Sequence, residues 1–369
     1  MVALFLIFEI MINILFEYPQ LNCGGTEVVM YNLAKFFDSS QYHVDILVRK
    51  QGNNEEIFRK IGCNIYLIPF TSKEQYKLDL MTFFNSYHYD VVHTHMHSDM
   101  GLVMECASKA GVLVRVAHSH NARLDIPHLF WPVQIFRNWC VENYANLFFA
   151  CSRIAAKWMF PRHRNSVSVI YNAIDLDDFK FDVAVRKQKR KELGVTDKTK
   201  VIINVGRCTD QKNHSFILDR AKELKNEDIL FVIIGDGPLF KSLNKRIEDE
   251  YISNVHMMGK RFDVSQWLCA ADVFIFPSIY EGLGIVAIEA QACGLRVLST
   301  NTIPIEADMQ MGSFERIALA DIRRWNDLLK QDVYSEDKRL DLSCKAFDSH
   351  YNIRVVAKEV EQLYKSKLC

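Results

Sequence analysis

The chain has 369 residues, 49% hydrophobic and 24% charged, with 45 basic and 45 acidic side chains. That length exceeds one small core and suits two domains of an ordinary globular protein. A formal net charge of zero supplies no global positive field, so nucleic acid is not an expected partner.

The N-terminus, "MVALFLIFEIMINILFEY", looks like a membrane signal. It lacks a basic leading region and a cleavage site, and Glu9 interrupts it. It is also short of the roughly 20 apolar residues that span a bilayer. "INILFEY" therefore reads as a buried first strand. Residues 1–10 read as an upstream extension, with Met11 an alternative start; a weak membrane anchor is the competing reading.

Further apolar runs follow: "VDILV", "NIYLIP", "DVVHTH", "VLVRVAH", "NLFFAC" and "VSVIYN". Helical stretches lie between them. In "TEVVMYNLAKFFD", Val29, Leu33, Phe36 and Phe37 share one helical face. Apolar strands separated by helices predict a parallel sheet covered on both sides. The charged segment 172–200 breaks the pattern and reads as the link between domains. Its "RKQKRK" cluster is expected to be a solvated helix face, with phosphate or anionic lipid as the alternative.

Alternation then restarts with "KVIINVG", "ILFVIIG", "NVHMMG", "DVFIFPS" and "LRVLST", and the chain ends in a charged helix. The prediction is two doubly wound α/β domains, 1–175 and 176–350, with a helix at 351–369 packing back on the first. Ligands of such sheets bind beyond the strands' carboxyl ends, so the cleft between two of them is the expected active site. The ten cysteines form no C-x-x-C pair and several lie in apolar runs, which favours reduced, mostly buried thiols in a cytosolic protein.

Three stretches carry candidate chemistry. In "VIINVGRCTDQKNHSF", Arg207 and Lys212 straddle a loop at a strand's carboxyl end and suit a diphosphate; Asn213 is placed to cap the next helix. In "VIIGDGPLF", Gly235 and Gly237 begin a dinucleotide pattern, but Phe240 occupies the third glycine position. The turn reads as structural, and a nicotinamide-linked enzyme is disfavoured. In "EGLGIVAIEAQACG", Gly282 and Gly284 permit close ligand approach, and a helix starting near Ile285 offers its free amides to a phosphate. Glu281 in the loop and Glu289 in the helix stand too far apart for a contacting acid–base pair. By themselves they are equally a hydroxyl-binding pair and a cap plus a surface glutamate.

The combination "PS-x-x-EG-x-G-x-x-x-x-E-A-x-A-x-G" closely resembles the nucleotide-sugar segment of family 4 glycosyltransferases, which have the GT-B fold. "GR-x-x-x-QKN" resembles that family's phosphate loop, and "GG-x-E" at Gly24 to Glu27 its first glycine turn. "VHTHMHSDMG", "RVAHSHN", "YNAID" and "LSTNTIPIEAD" resemble the branch that builds bacterial capsular and exopolysaccharides. The likeness runs from about Ile12 through almost the whole chain.

The resemblance implies a metal-independent, retaining hexosyltransferase with no cofactor. Arg207 and Lys212 would hold the donor diphosphate, Glu289 the ribose, and Glu281 the transferred sugar. Amides around Gly282, Leu283, Gly284 and Ile285 would touch sugar and phosphates. Lys260, Arg261 and Phe262 would line the base pocket, and Gly24 and Gly25 would let the first domain approach the diphosphate. A histidine would meet the donor sugar, either His118 or His120, with His120 ahead. His93, His95 and His97 read as strand-end polar residues facing acceptor, since ligands on one strand need partners elsewhere to bind a metal. UDP-sugars are expected ahead of GDP-sugars.

The acceptor is expected on the first domain, with closure bringing it to the donor. A glycan acceptor linked to polyprenyl diphosphate would place the enzyme in the cytoplasm, peripheral on the inner face of the membrane. The aromatic region holding Arg123, Arg137, Arg153, Arg162 and Arg164 would be a membrane-facing surface or, the preferred reading, helices with basic outer faces. Rival functions are a nucleotide-sugar epimerase or hydrolase of the same build, and a binding protein without transfer activity.

Overall fold

The computed structural model describes residues 11–22, 24–96, 100–120 and 131–368, without the Trp131 side chain. The extension 1–10, Cys23, His97, Arg123 and Cys369 lie outside the described residues. The chain divides into two units, Met1–Asn172 with Ile353–Cys369, and Ala173–Asn352.

The first unit carries seven strands: β1 (Ile12–Tyr18), β2 (Tyr42–Val48), β3 (Ile65–Leu67), β4 (Val91–Thr94), β5 (Val114–Ser119), β6 (Leu147–Ala150) and β7 (Ser168–Val169). They pair in parallel in the order β3-β2-β1-β4-β5-β6-β7. Helices α1 (Gly25–Phe36), α2 (Glu55–Lys60), α3 (Lys73–Ser86), α4 (Met100–Lys109), α5 (Trp131–Tyr144) and α6 (Arg153–Met159) connect them. Ser72 and Ser152 cap α3 and α6 by accepting from the amides of Gln75 and Ala155.

The second unit has β8 (Lys200–Val205), β9 (Ile229–Ile234), β10 (Val255–Gly259), β11 (Val273–Phe276), β12 (Arg296–Thr300) and β13 (Phe314–Ile317) in the parallel order β10-β9-β8-β11-β12-β13. Its helices are α7 (Val183–Leu193), α8 (His214–Glu223), α9 (Phe240–Asp249), α10 (Val264–Ala270), α11 (Ile285–Ala292), α12 (Ile322–Lys330) and α13 (Glu336–Lys345). The last helix, α14 (Ile353–Leu368), returns to the first unit and packs on α1. Each sheet reverses its winding once, between β1 and β4 and between β8 and β11. Those reversals are where doubly wound sheets take ligands.

Continuous apolar strands make both cores: Ile14, Leu15 and Phe16 of β1, and Phe231, Val232 and Ile233 of β9, are buried. Of the eight described cysteines, all are free and six are buried. Among the described residues no helix is long and apolar enough to cross a membrane.

The "RKQKRK" cluster departs from its expectation as a solvated face. Asp182 and Gly194 delimit α7 as caps. Arg186 and Arg190 both grip Asp272, at 2.6 and 3.1 Å, and Lys189 meets Asp263 at 3.0 Å. Arg186 and Arg190 also donate to carbonyls at the end of α10. Half the cluster thus ties α7 to α10 and the start of β11, because buried guanidinium groups need fixed acceptors; Lys187, Gln188 and Lys191 stay exposed.

Candidate functional site

The loops after β8 and β11 meet at the reversal of the second sheet. Ile279 N donates to Gln211 O at 2.8 Å, and Gln211 Nε2 to Tyr280 O at 2.9 Å. Asn213 was expected to cap α8. It occupies the N-cap position at φ 53°, but its side chain makes no capping bond and donates to Pro277 O at 3.3 Å. Within the second sheet Asn204 of β8 donates to Ile275 O at 2.8 Å, and Thr300 of β12 to Ser278 O at 2.8 Å. The second loop is thereby fixed from both sides by polar residues, of which sequence reading singled out Asn213 alone, and for a different role. Nothing local signals them, since most partners lie 64 to 71 residues away.

This stitching brings Lys212 and Glu281 together: Nζ and Oε1 are 2.5 Å apart. Both are mostly shielded, and the ammonium also lies over the Phe276 ring. Arg207, two residues past β8, is exposed, and among the described residues it pairs with no carboxylate.

Glycines set the backbone paths. Gly284 has φ 88°, and a Cβ there would lie 2.7 Å from the Phe276 ring. Glycine therefore turns the chain into α11, which begins at Ile285 without a side-chain cap. The first amides of such a helix have no intrahelical acceptor. Leu283 is 1% exposed, so this segment has its backbone to offer rather than that side chain. The "GDG" turn after β9 is occupied by packing: a Cβ on Gly235 would lie 1.9 Å from Gly206 O, and Cys208 N donates to Asp236 O at 3.0 Å.

Glu289 does not contact Glu281 through any hydrogen bond. It lies within buried α11, and desolvation raises its carboxyl to about 7. After β10, Lys260, Arg261 and Phe262 are exposed; Arg261 forks onto Asp263 through two 2.9 Å bonds, and Phe262 is 85% exposed beside the Lys260 ammonium.

In the first unit, Gly24 and Gly25 are exposed at the start of α1. Glu27 accepts from the Asn22 amide and closes the turn.

The histidines at the ends of β4 and β5 make an array. His93 Nε2 and His118 Nδ1 are 3.1 Å apart, and His95 Nδ1 and His120 Nε2 are 2.9 Å apart. Tyr364 of α14 meets His93 Nδ1 at 2.6 Å. His93 and His95 are buried, which corrects their reading as acceptor-facing groups. Burial and the neighbouring imidazoles hold His93, His95 and His118 well below the usual histidine range, hence neutral. His118 is fully buried; His120 keeps slight exposure. Nitrogens of His93, His95 and His118 lie within 4.8 Å of one another, a grouping with metal-ligand potential. The missing partners for a strand's alternate histidines thus come from the next strand. In each bonded pair the ring centroids are 5.2 Å apart, the spacing of two imidazoles in line through one hydrogen bond.

Residues 23–178 match Glycosyltransferase Family 4, and residues 185–311 match Glycosyl transferases group 1. The chain is 29% identical over 326 residues to the putative glycosyltransferase EpsF of Bacillus subtilis (strain 168), covering 84% of each. It is 29% identical over 226 residues, 58% of each chain, to the Escherichia coli UDP-Gal:alpha-D-GlcNAc-diphosphoundecaprenol alpha-1,3-galactosyltransferase. Among solved structures, Anabaena Alr3699/HepE in complex with UDP and glucose superposes with a TM-score of 0.80 at 17% identity, over 96% of this chain and 100% of that one.

Proposed function

From a chain that belongs to the family 4 glycosyltransferases of GT-B fold, a hexosyltransferase of cell-surface glycan biosynthesis, we propose a retaining transfer from a UDP-sugar to a polyprenyl-diphosphate-linked glycan. The observation that carries the reading is the convergence, at one sheet reversal, of exposed Arg207, the Lys212–Glu281 pair and the start of α11. Cations and unpaired amides at a strand switch suit a diphosphate. The E. coli relative, named for a UDP-galactose donor and a diphosphoundecaprenol-linked acceptor, supports both substrate classes.

In this proposal the donor's diphosphate lies against Arg207 and Lys212, its ribose against Glu289 and its hexose against Glu281. The bond from the anomeric carbon to the β-phosphate oxygen breaks, and its electron pair leaves with the phosphate. Arg207, Lys212 and the α11 amides stabilise that charge as it develops. The acceptor hydroxyl attacks the same face of the sugar, and its proton passes to the departing phosphate oxygen. Atoms and charge balance with no covalent enzyme intermediate and no metal. The His95 and His118 imidazoles, bonded in line with His120 and His93, fix the array from which His120 is presented. The enzyme would work at the cytoplasmic leaflet as a peripheral protein.

The test is calorimetric binding of UDP- and GDP-sugars, then turnover on a synthetic polyprenyl-diphosphate-linked sugar, with the product anomer read by NMR. A UDP-sugar of α configuration is expected to give an α-linked product only with acceptor present. An inverted linkage, or equal consumption of donor without acceptor, overturns the reading; the latter indicates a hydrolase or epimerase.

A further inference from the structure

The C-terminal ends of α10 and α11 hold two thiols against each other. Cys269 lies in the last turn of α10, Cys293 caps the end of α11, and their Sγ atoms are 3.5 Å apart. Arg339 of α13 fixes both ends. Its guanidinium is buried over the Phe181 ring and donates to Leu268 O, Cys269 O, Ala271 O and Cys293 O at 2.7 to 3.0 Å. The same group reaches Cys293 Sγ at 3.5 Å. A permanent cation thus stands beside a thiol pair whose backbone it clamps, and a neighbouring cation favours thiolate.

The two sulfurs are not equivalent. The hydrogen bond from the Cys293 thiol, with Arg339 nearby, holds Cys269 below the ordinary thiol range, while burial pushes Cys293 well above it. By contrast, burial pushes Cys106 and Cys208 up to about 11 and Cys63 up to about 12. Cys269 is therefore the attacking sulfur and Cys293 the one that resolves, a pairing suited to reversible oxidation. Burial selects the oxidant. Cys269 is 3% exposed and Cys293 0%, which bars a bulky charged disulfide and leaves a small uncharged peroxide.

We propose that Cys269 and Cys293 form an oxidation site for small hydroperoxides, closing to a disulfide that ties α10 to the end of α11. The Cys269 thiolate attacks one peroxide oxygen and the O–O bond breaks. One oxygen stays on sulfur as a sulfenic acid; the other leaves as hydroxide and takes up the proton that Cys269 released, giving water. The Cys293 sulfur then attacks the Cys269 sulfur, the S–O bond breaks, and the hydroxyl leaves with the Cys293 proton as a second water. Two thiols give up two electrons, and the peroxide accepts them. The bond goes beyond the transfer reaction and does not depend on it. Its effect falls on α11, because the Cys293 amide donates to Glu289 O at 3.1 Å.

Reduced full-length protein is treated with hydrogen peroxide, its remaining thiols are alkylated in urea, and its peptides are mapped by mass. A linked pair holding Cys269 and Cys293 is expected, and dithiothreitol should release it. Cys63, Cys106 and Cys208 should oxidise on the order of tenfold more slowly, and oxidised glutathione should form no link. Cys293→Ser should stop at a sulfenic acid on Cys269 that dimedone traps, whereas Cys269→Ser should leave Cys293 unlabelled. Hydrogen exchange over residues 285–293 should slow on oxidation. UDP calorimetry on the reduced protein tests the donor reading separately. A folded wild type whose exposed Cys344 is oxidised while no link forms would overturn the proposal. So would an equal link from oxidised glutathione, dimedone on Cys293 in Cys269→Ser, or exchange in α11 that oxidation leaves unchanged. The wild-type map decides even where a serine variant fails to fold.

Discussion

Lys212 and Glu281 are each other's counter-ion, whereas Arg207 is exposed with no carboxylate partner among the described residues. The two cations proposed for one diphosphate therefore stand differently toward the fold. Removing Arg207 deletes a solvated group, and such surface changes stay within about 0.5 kcal/mol of wild-type stability. Removing Lys212 strands a shielded carboxylate at a cost of roughly 1–3 kcal/mol. Arg207→Ala is thus expected to unfold like wild type in urea while turnover falls on the order of a hundredfold. Lys212→Ala should lose both stability and turnover. Near-normal turnover in folded Arg207→Ala, or equal destabilisation by the two variants, would contradict the assignment. The two side chains were legible as candidates because a strand, a glycine and spaced cations stand together in sequence. Their division of labour was not, because Glu281 lies 69 residues from Lys212.

Helix α11 depends on a single bend. An alanine at Gly284 must accept both a left-handed backbone and a contact of 2.7 Å with the Phe276 ring. Gly111 has a similar φ of 81°, but nothing stands within 4 Å of an added Cβ. Gly111→Ala should cost about 1 kcal/mol of backbone strain, and Gly284→Ala distinctly more, with UDP affinity lost only in the second. Equal melting temperatures and unchanged UDP binding would show that the bend neither packs tightly nor serves the ligand. At this scale the strands were readable wherever Val and Ile run without interruption, as in "ILFVII" of β9. β13 escaped because Phe314–Ile317, "FERI", places two charges in a four-residue edge strand that pairs only with β12. The "RKQKRK" helix was misread for a related reason: what buries Arg186 and Arg190 is Asp272, more than 80 residues on. In α5 the local pattern is itself misleading, since helical periodicity leads a reader to turn Phe136 and Trp139 inward, whereas both are exposed.

Across the chain, the two units carry opposite arrangements of buried titratable groups, and that separates their responses to acid. In the first unit His93, His95 and His118 are buried neutral, bonded to one another's strand neighbours and to Tyr364, with no carboxylate hydrogen-bonded to them among the described residues. Their folded pKa values are depressed, so unfolded chains bind more protons below the ordinary value of 6.5. Stability contributed by this array is present above 6.5 and is lost as pH falls. In the second unit His214 behaves likewise, lowered to about 4 by burial and then by Lys212. Glu289 is raised from 4.5 to about 7, so its contribution is fully present below 4.5 and is lost as pH rises through 7. Between pH 4.5 and 6.5 these two terms oppose each other, each on the order of 3 kcal/mol. Hydrogen exchange read by mass spectrometry at pH 7.5 and 5.0 should therefore show β4 and β5 losing protection while β8 and β9 keep theirs. Glu289→Gln removes one side of the balance and leaves His214 unopposed, so β8 and β9 should then lose protection on acidification too. A wild type in which both units weaken alike, or a variant whose second unit stays indifferent to acid, would mean that Glu289 is not held as an uncharged acid. The same carboxyl gives the donor reading a second measurement. Ribose hydroxyls that donate to Glu289 favour its ionised form, so UDP binding near pH 7 should release protons, seen as a buffer-dependent heat in calorimetry and absent in Glu289→Gln.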